Sequence, residues 1–181
     1  TAIRGMITAP KGKTLLVADY AAIEARIVFW LAGCRAGMKL YEDGIDPYID
    51  VATEIFHKPY ASITKEERLV GKQVKLGAGF GLGGKGFVIS CARWGVTVSD
   101  QIAVNSIGAY REKYEEVVTL WNELEEAAKR AYRSGKIHMI PNKKVAFKTH
   151  RTKSGVLMLQ MRLPSGRCMN YPDVKIQKTK T

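Results

Sequence analysis

The stretch from Ser99 to Gly135, "SDQIAVNSIGAYREKYEEVVTLWNELEEAAKRAYRSG", constrains the fold more than any other part of this 181-residue chain. Ile107, Tyr110, Tyr114, Val117, Trp121, Leu124 and Ala128 recur at three- and four-residue steps, so one side of a helix is apolar and must be packed. Ser99 is placed to cap its start and Gly135 to end it, which predicts one long helix over about 99–133. After Gly135 the texture changes. "KKVAFKTH", "GVLMLQMRLPSG" and "RCMNYP" set β-formers between turn residues and read as two or three antiparallel strands. Near the other end, Leu15 to Ala18 reads as a short buried strand running into an apolar helix that stops at Gly33. Strand, helices, then strands is an α+β order: a helical body inserted into a small antiparallel sheet built from both ends of the chain.

Between these parts, a helical stretch is expected from Met38 to Phe56 with a break near "DGIDP". Thr64 and Glu67 form a capping box with Ile63 as the staple residue, so a further helix starts there. With 46% hydrophobic residues the chain has material for a core. Its 29 Lys+Arg against 17 Asp+Glu give a net charge of +12, which favours polyanionic partners, nucleic acid first and an anionic membrane surface second. Cys34, Cys91 and Cys168 are too few and too scattered for a disulfide framework or a zinc site, and fit a reducing, cytoplasmic compartment. His57, His138 and His150 lack metal-ligand spacing. No apolar run reaches the ~18 residues of a membrane span, and no signal peptide is visible. Thr1 is no initiator methionine, and the chain is expected to be an excised piece of a longer one.

"KLGAGFGLGGKG", residues 75–86, holds six glycines in twelve positions and scans as a phosphate-binding loop. A P-loop, however, needs a strand before it and a helix after it, so that the helix N-terminus faces the phosphates. Here the capped helix comes first and the glycines fall where it must fray, since each interior Gly costs ~1 kcal/mol. The position of the Mg²⁺-binding hydroxyl is Gly86. The glycines are expected to let the chain bend.

The helix before them carries Arg68, Lys72, Leu76 and Phe80 four apart on one face. Two readings stand: cations gripping a triphosphate with the ring and Leu76 on a base or sugar, or an amphipathic helix with snorkelling cations. Asp19, where the expected strand meets a helix, likewise has two: a Mg²⁺ ligand of a phosphoryl-transfer site, or a helix N-cap.

"DYAAIEAR" (19–26) resembles motif A of family A (polymerase-I-like) DNA polymerases, and "RLVGKQVKLGAGFG" (68–81) resembles their motif B. "DGIDPYIDVATEIF" is similar to the family's linking segment, and "LPSGRCMNYPDVKI" to phage-type members. The resemblance covers nearly the whole chain in order. It implies template-directed DNA synthesis with dNTPs, a primer-template and Mg²⁺. Asp19 would bind both catalytic metals, with the Tyr20 carbonyl a further contact. Glu24 would be the steric gate against a ribose 2′-OH. Arg68 and Lys72 would hold the triphosphate, with Lys72 also protonating the pyrophosphate leaving group. Phe80 would stack near the templating site, Gly81 would admit the duplex, and Arg4 and Tyr48 match positions near the nucleotide.

Ala21 replaces the usual Ser of motif A, and Leu76 stands where motif B has Phe or Tyr, which bears on discrimination at the nucleotide's 3′ position. No His here is followed by Asp, so the His-Asp-Glu turn that supplies the family's second carboxylate is not present. The chain is therefore expected to end before that motif and to be inactive alone, with the thumb and any exonuclease elsewhere. The implied division is palm over 1–33, fingers over 34–135 with the motif B helix at 64–82, and palm strands over 136–181. The rival of a different class is a non-catalytic, basic nucleic-acid-binding module.

Overall fold

The computed structural model describes residues 2–177, apart from the side chains of Ala2 and Arg4. Eight α-helices are present among them: α1 (Ala2–Gly5), α2 (Ile23–Ala32), α3 (Arg35–Glu42), α4 (Pro47–Phe56), α5 (Lys65–Ala78), α6 (Gly84–Arg93), α7 (Asp100–Lys113) and α8 (Glu115–Ser134). They precede four strands: β1 (His138–Met139), β2 (Ala146–Arg151), β3 (Leu157–Arg162) and β4 (Cys168–Pro172). The strands form one antiparallel meander in the order β1-β2-β3-β4, and the fold is α+β as expected.

Local chemistry fixes most boundaries. The capping box of α5 is formed: Thr64 Oγ1 accepts from the Glu67 amide at 3.2 Å, and Glu67 returns the bond to the Thr64 amide at 2.9 Å. Asp46 caps α4, accepting from the Tyr48 and Ile49 amides, with Pro47 behind it. Ser99 caps α7 and Gly135 closes α8 at φ 68°.

Three expectations are corrected. Leu15 to Ala18 form no strand. Residues 7–20 run as irregular chain with Leu16 94% and Val17 91% exposed. An extended segment needs a hydrogen-bonding neighbour, and the sheet among the described residues is completed by 138–172 alone. The helix after it is apolar on every side but buries only Phe29 fully; Ile27 and Trp30 stay 47% exposed. The single long helix over 99–133 is two, broken at Tyr114 (φ −127°, ψ 56°), whose ring lies in the core. The motif B helix ends at Ala78, short of 82, and the glycines after it lead into α6, an element the sequence reading did not contain. Linking two helices, the run is no P-loop.

The main core joins α2, α4, α5, α6 and α7 around Phe29, Val51, Val74, Phe87, Tyr110 and Tyr114. A second cluster packs α8 on one face of the sheet through Leu120, Ala127, Ala131, Ile140, Val145 and Phe147. Thr149 ties that face to α8 by donating to the Ala131 carbonyl at 3.1 Å.

Candidate functional site

Where the irregular segment turns into α2, it faces the first turn of α4 and the last turn of α5 across a pocket of about 210 Å³. Asp19, Tyr20, Glu24, Tyr48, Lys75 and Leu76 line it, so residues from two motifs more than fifty positions apart in the sequence share one wall. The turn is held rather than loose. Arg26 donates from Nε to the Ala21 carbonyl at 3.0 Å, and its guanidinium lies 4.2 Å from the Tyr41 ring centroid. Ala22, which begins α2, takes a left-handed φ of 50°, a conformation costing a non-glycine residue about 1 kcal/mol. The α2 N-terminus has no side-chain cap, so Asp19 is not its N-cap.

The other expected residues are distributed as follows. Arg68 is paired: its Nη2 lies 2.7 Å and its Nε 2.8 Å from Asp46 Oδ2, and its guanidinium sits 5.2 Å from the centroid of the Tyr48 ring, which lines the pocket. Burial works against the Asp46 charge, but bonds from Arg68 and from the Tyr48 and Ile49 amides hold its carboxyl below the ordinary value. Lys72, half-buried one turn nearer the pocket, makes no ion pair among the described residues and does not line the cavity. Phe80 is 65% exposed past the end of α5, beside Gly81 at φ 79°, and both lie outside the pocket. The Arg4 side chain is outside the described residues.

Lys75 is the residue that reading the sequence missed. On the α5 wheel it falls with Gly71, Val74 and Ala78, all buried, and a cation on an apolar helix face was the available signal. It is 2% exposed, donates to Tyr114 Oη at 2.8 Å, and lies 4.6 Å from the Phe29 and 4.4 Å from the Tyr114 ring centroids. Burial pushes its ammonium down to about 7, with Asp50 opposing and Lys113 adding to the shift. Tyr114 in turn donates to Asp50 Oδ2 at 3.1 Å, and Lys113 bridges Asp50 and Glu54 at 3.0 and 2.9 Å.

Among the described residues no group of three or more His, Cys, Asp or Glu side chains is placed to hold a metal ion. No helix among them is long and apolar enough to cross a membrane.

The family model for DNA polymerase family A matches residues 1–165. The DNA polymerase of Bacillus phage SP02 is 30% identical over 177 residues, 97% of this chain and 26% of that protein. DNA polymerase I of Aquifex aeolicus is 28% identical over 112 residues, 62% of this chain and 19% of its own length. The chain thus spans about a quarter or less of these two relatives. Among solved structures, the POL domain of Pol1 from M. smegmatis, in complex with DNA primer-template and dNTP, aligns with a TM-score of 0.49 at 23% identity, covering 67% of this chain and 20% of that one.

Proposed function

The chain belongs to DNA polymerase family A, and from that premise we propose that it supplies the fingers and part of the palm for template-directed addition of deoxynucleotides to a primer 3′ end. The observation that carries this is the pocket itself, in which the acidic turn of Asp19 and Glu24 meets Tyr48 and the Leu76 face of the motif B helix. We assign residues 1–33 and 136–181 to the palm and 34–135 to the fingers.

In nucleotidyl transfer the protein positions the reactants and neutralises charge rather than taking part covalently. Lys72, unpaired among the described residues, is the free cation for the triphosphate and is placed on the helix to protonate the departing pyrophosphate. Arg68 joins it by exchanging Asp46 for phosphate oxygens, a swap of one charge-assisted partner for another. Glu24, on the first turn of α2, narrows the sugar end of the pocket and excludes a 2′-OH. Leu76, in place of an aromatic ring, meets the 3′ side of the sugar. Phe80 and Gly81, past the helix end, meet the template. Mg²⁺, with Asp19 and the Tyr20 carbonyl among its ligands, would supply charge neutralisation at the phosphates. The phage and bacterial origin of the relatives supports a location in the cytoplasm of a bacterium or an infected cell.

Primer extension tests the reading. The isolated chain is expected to extend a primer negligibly. In a longer polymerase carrying these residues, Asp19→Ala should abolish extension while leaving DNA binding in place; robust extension surviving Asp19→Ala would show that Asp19 has another role. The basic-module reading has one observation of its own, an exposed sheet face bearing Lys148, His150 and Arg162. Such a module would bind DNA with a steep salt dependence and give no response to dNTP.

A further inference from the structure

Among the described residues Lys75 is the only cation on the wall of the 210 Å³ pocket, which also carries two carboxylates, Asp19 and Glu24. It forms no hydrogen bond or ion pair with either among the described residues. Its Nζ instead points into the core, to the Tyr114 hydroxyl and between the Phe29 and Tyr114 rings. The ammonium has ring faces and a neutral hydroxyl around it but no carboxylate bonded to it, since the Tyr114 hydroxyl itself donates to Asp50. An apolar side chain of similar length would fill the same space without the penalty of burying an ammonium.

We propose that Lys75 is a positioning residue of the nucleotide pocket, whose ammonium form offsets Asp19 and Glu24 when an anionic nucleotide enters and holds α5 against the α7–α8 break through Tyr114. The proposal rests on the nucleotide reading of the pocket given above. It also gives the break at Tyr114 a purpose: the kink brings one hydroxyl within reach of α5 and α4 at once, so the helix carrying Lys72 and Leu76 keeps one rotation.

The charges around Lys75 come from every side. Asp50 faces it from α4, Tyr110 and Lys113 from α7, Tyr114 from the junction and Cys34 from the turn before α3, while Asp19 and Glu24 lie on the pocket side. Asp50 and, more weakly, Cys34 favour the ammonium, and Asp50 is shared with Lys113. With its ordinary range depressed by burial, Lys75 is partly neutral at neutral pH, and an arriving polyanion favours the protonated form. Nucleotide binding therefore takes up a proton, and affinity falls as pH rises above 7, by at most about tenfold per pH unit.

Calorimetric titration of this chain with Mg²⁺-dGTP, in Pipes and in Tris at pH 7.5, measures the protons taken up per nucleotide bound. The wild-type chain should take up a fraction of a proton and bind more weakly at pH 8.5 than at pH 7.0. Lys75→Met should bind about tenfold more weakly at pH 7.0, with no uptake and no pH dependence. Lys75→Arg should restore affinity with a flat profile, which a purely structural role would not produce. Should Lys75→Met fail to fold, uptake by the wild-type chain still decides. Binding with no proton uptake, or uptake unchanged in Lys75→Met, overturns the role of Lys75 and leaves the pocket reading standing. No binding of Mg²⁺-dGTP by the wild-type chain at any pH overturns the pocket reading and this role with it.

Discussion

Lys75 and Arg68 lie seven residues apart on one helix in opposite settings, one buried and the other half-exposed and paired with Asp46. Lys75 is buried without a carboxylate in contact, so its folded-state value sits near 7, below the ordinary 10.5. Between those values the unfolded chain binds a proton that the folded chain does not. Stability should therefore rise with pH from about 7, approaching about 1.4 kcal/mol per pH unit. The window closes near 9, where unfolded cysteines ionise. Cys34 and Cys91, whose thiols burial pushes up, then subtract stability. Urea midpoints at pH 7, 8 and 9 should climb in the wild-type chain and stay level in Lys75→Met; parallel curves would show that the buried lysine carries its proton throughout. At the acid end, Asp46 is held below its ordinary value beside Arg68, so its contribution is present above the usual carboxylate range and lost as pH falls through the folded value. The Arg68 side chain is 42% exposed, so that pair contributes under about 1 kcal/mol. Arg68→Ala should shift the acid limb of the same curve only slightly.

Helices α4 and α5 approach closely at Gly71, where an added Cβ would lie 2.2 Å from the Tyr48 carbonyl oxygen. Backbone cannot yield as a side-chain tip does, so Gly71→Ala should destabilise by about 2–3 kcal/mol and displace Tyr48 from the pocket wall. A lowered urea midpoint together with weaker dGTP binding would show both; an unchanged midpoint would mean the helices separate freely. The glycine run behaves differently. Gly77 and Gly86 flank Leu82, whose methyl groups lie 2.7 and 2.6 Å from where their Cβ atoms would be, and a side-chain end can shift. Gly86→Ala should accordingly cost less than Gly71→Ala. These elements also show what the sequence made legible. Caps are local, so Thr64–Glu67, Ser99 and Gly135 were readable from neighbours in the chain. The linked motifs likewise placed Asp19, Glu24, Tyr48 and Leu76, which the fold brings together. Long-range contacts were not readable. Tyr114 breaks a helix that its neighbours favour because Lys75 and Asp50 hold its hydroxyl, and Leu15 to Ala18 carry a strand pattern without a strand to pair with.

At the scale of the molecule, α8 is the wall shared by the two cores: Val117 belongs to the helical one, and Leu120, Ala127 and Ala131 to the one beneath the sheet. With one sheet face spent on α8, the register fixes what the other presents. Ala146 pairs with Arg162 and Arg162 with Cys168; Lys148 pairs with Gln160 and Gln160 with Asn170; His150 pairs with Met158. Neither Asp nor Glu occurs in β2, β3 or β4, so Lys148 and Arg162 stand exposed without a compensating acid on those strands. In a chain of net charge +12, this is a surface suited to a phosphodiester backbone. Each phosphate neutralised should add about 0.7–0.9 to the slope of log K against log[salt]. Fluorescence anisotropy of a labelled primer-template between 50 and 200 mM salt (roughly the range in which such slopes are read) should therefore show a steep fall for the wild-type chain. The double variant Lys148→Glu, Arg162→Glu should have a slope smaller by about 1–2. Its affinity for dGTP should be unchanged, because the sheet face and the Asp19 pocket share no residue. An unaltered salt slope in the double variant would move the DNA path off the sheet. An altered dGTP affinity would mean instead that the sheet and the helical body do not hold their positions independently, and that α8 transmits strain from one core to the other.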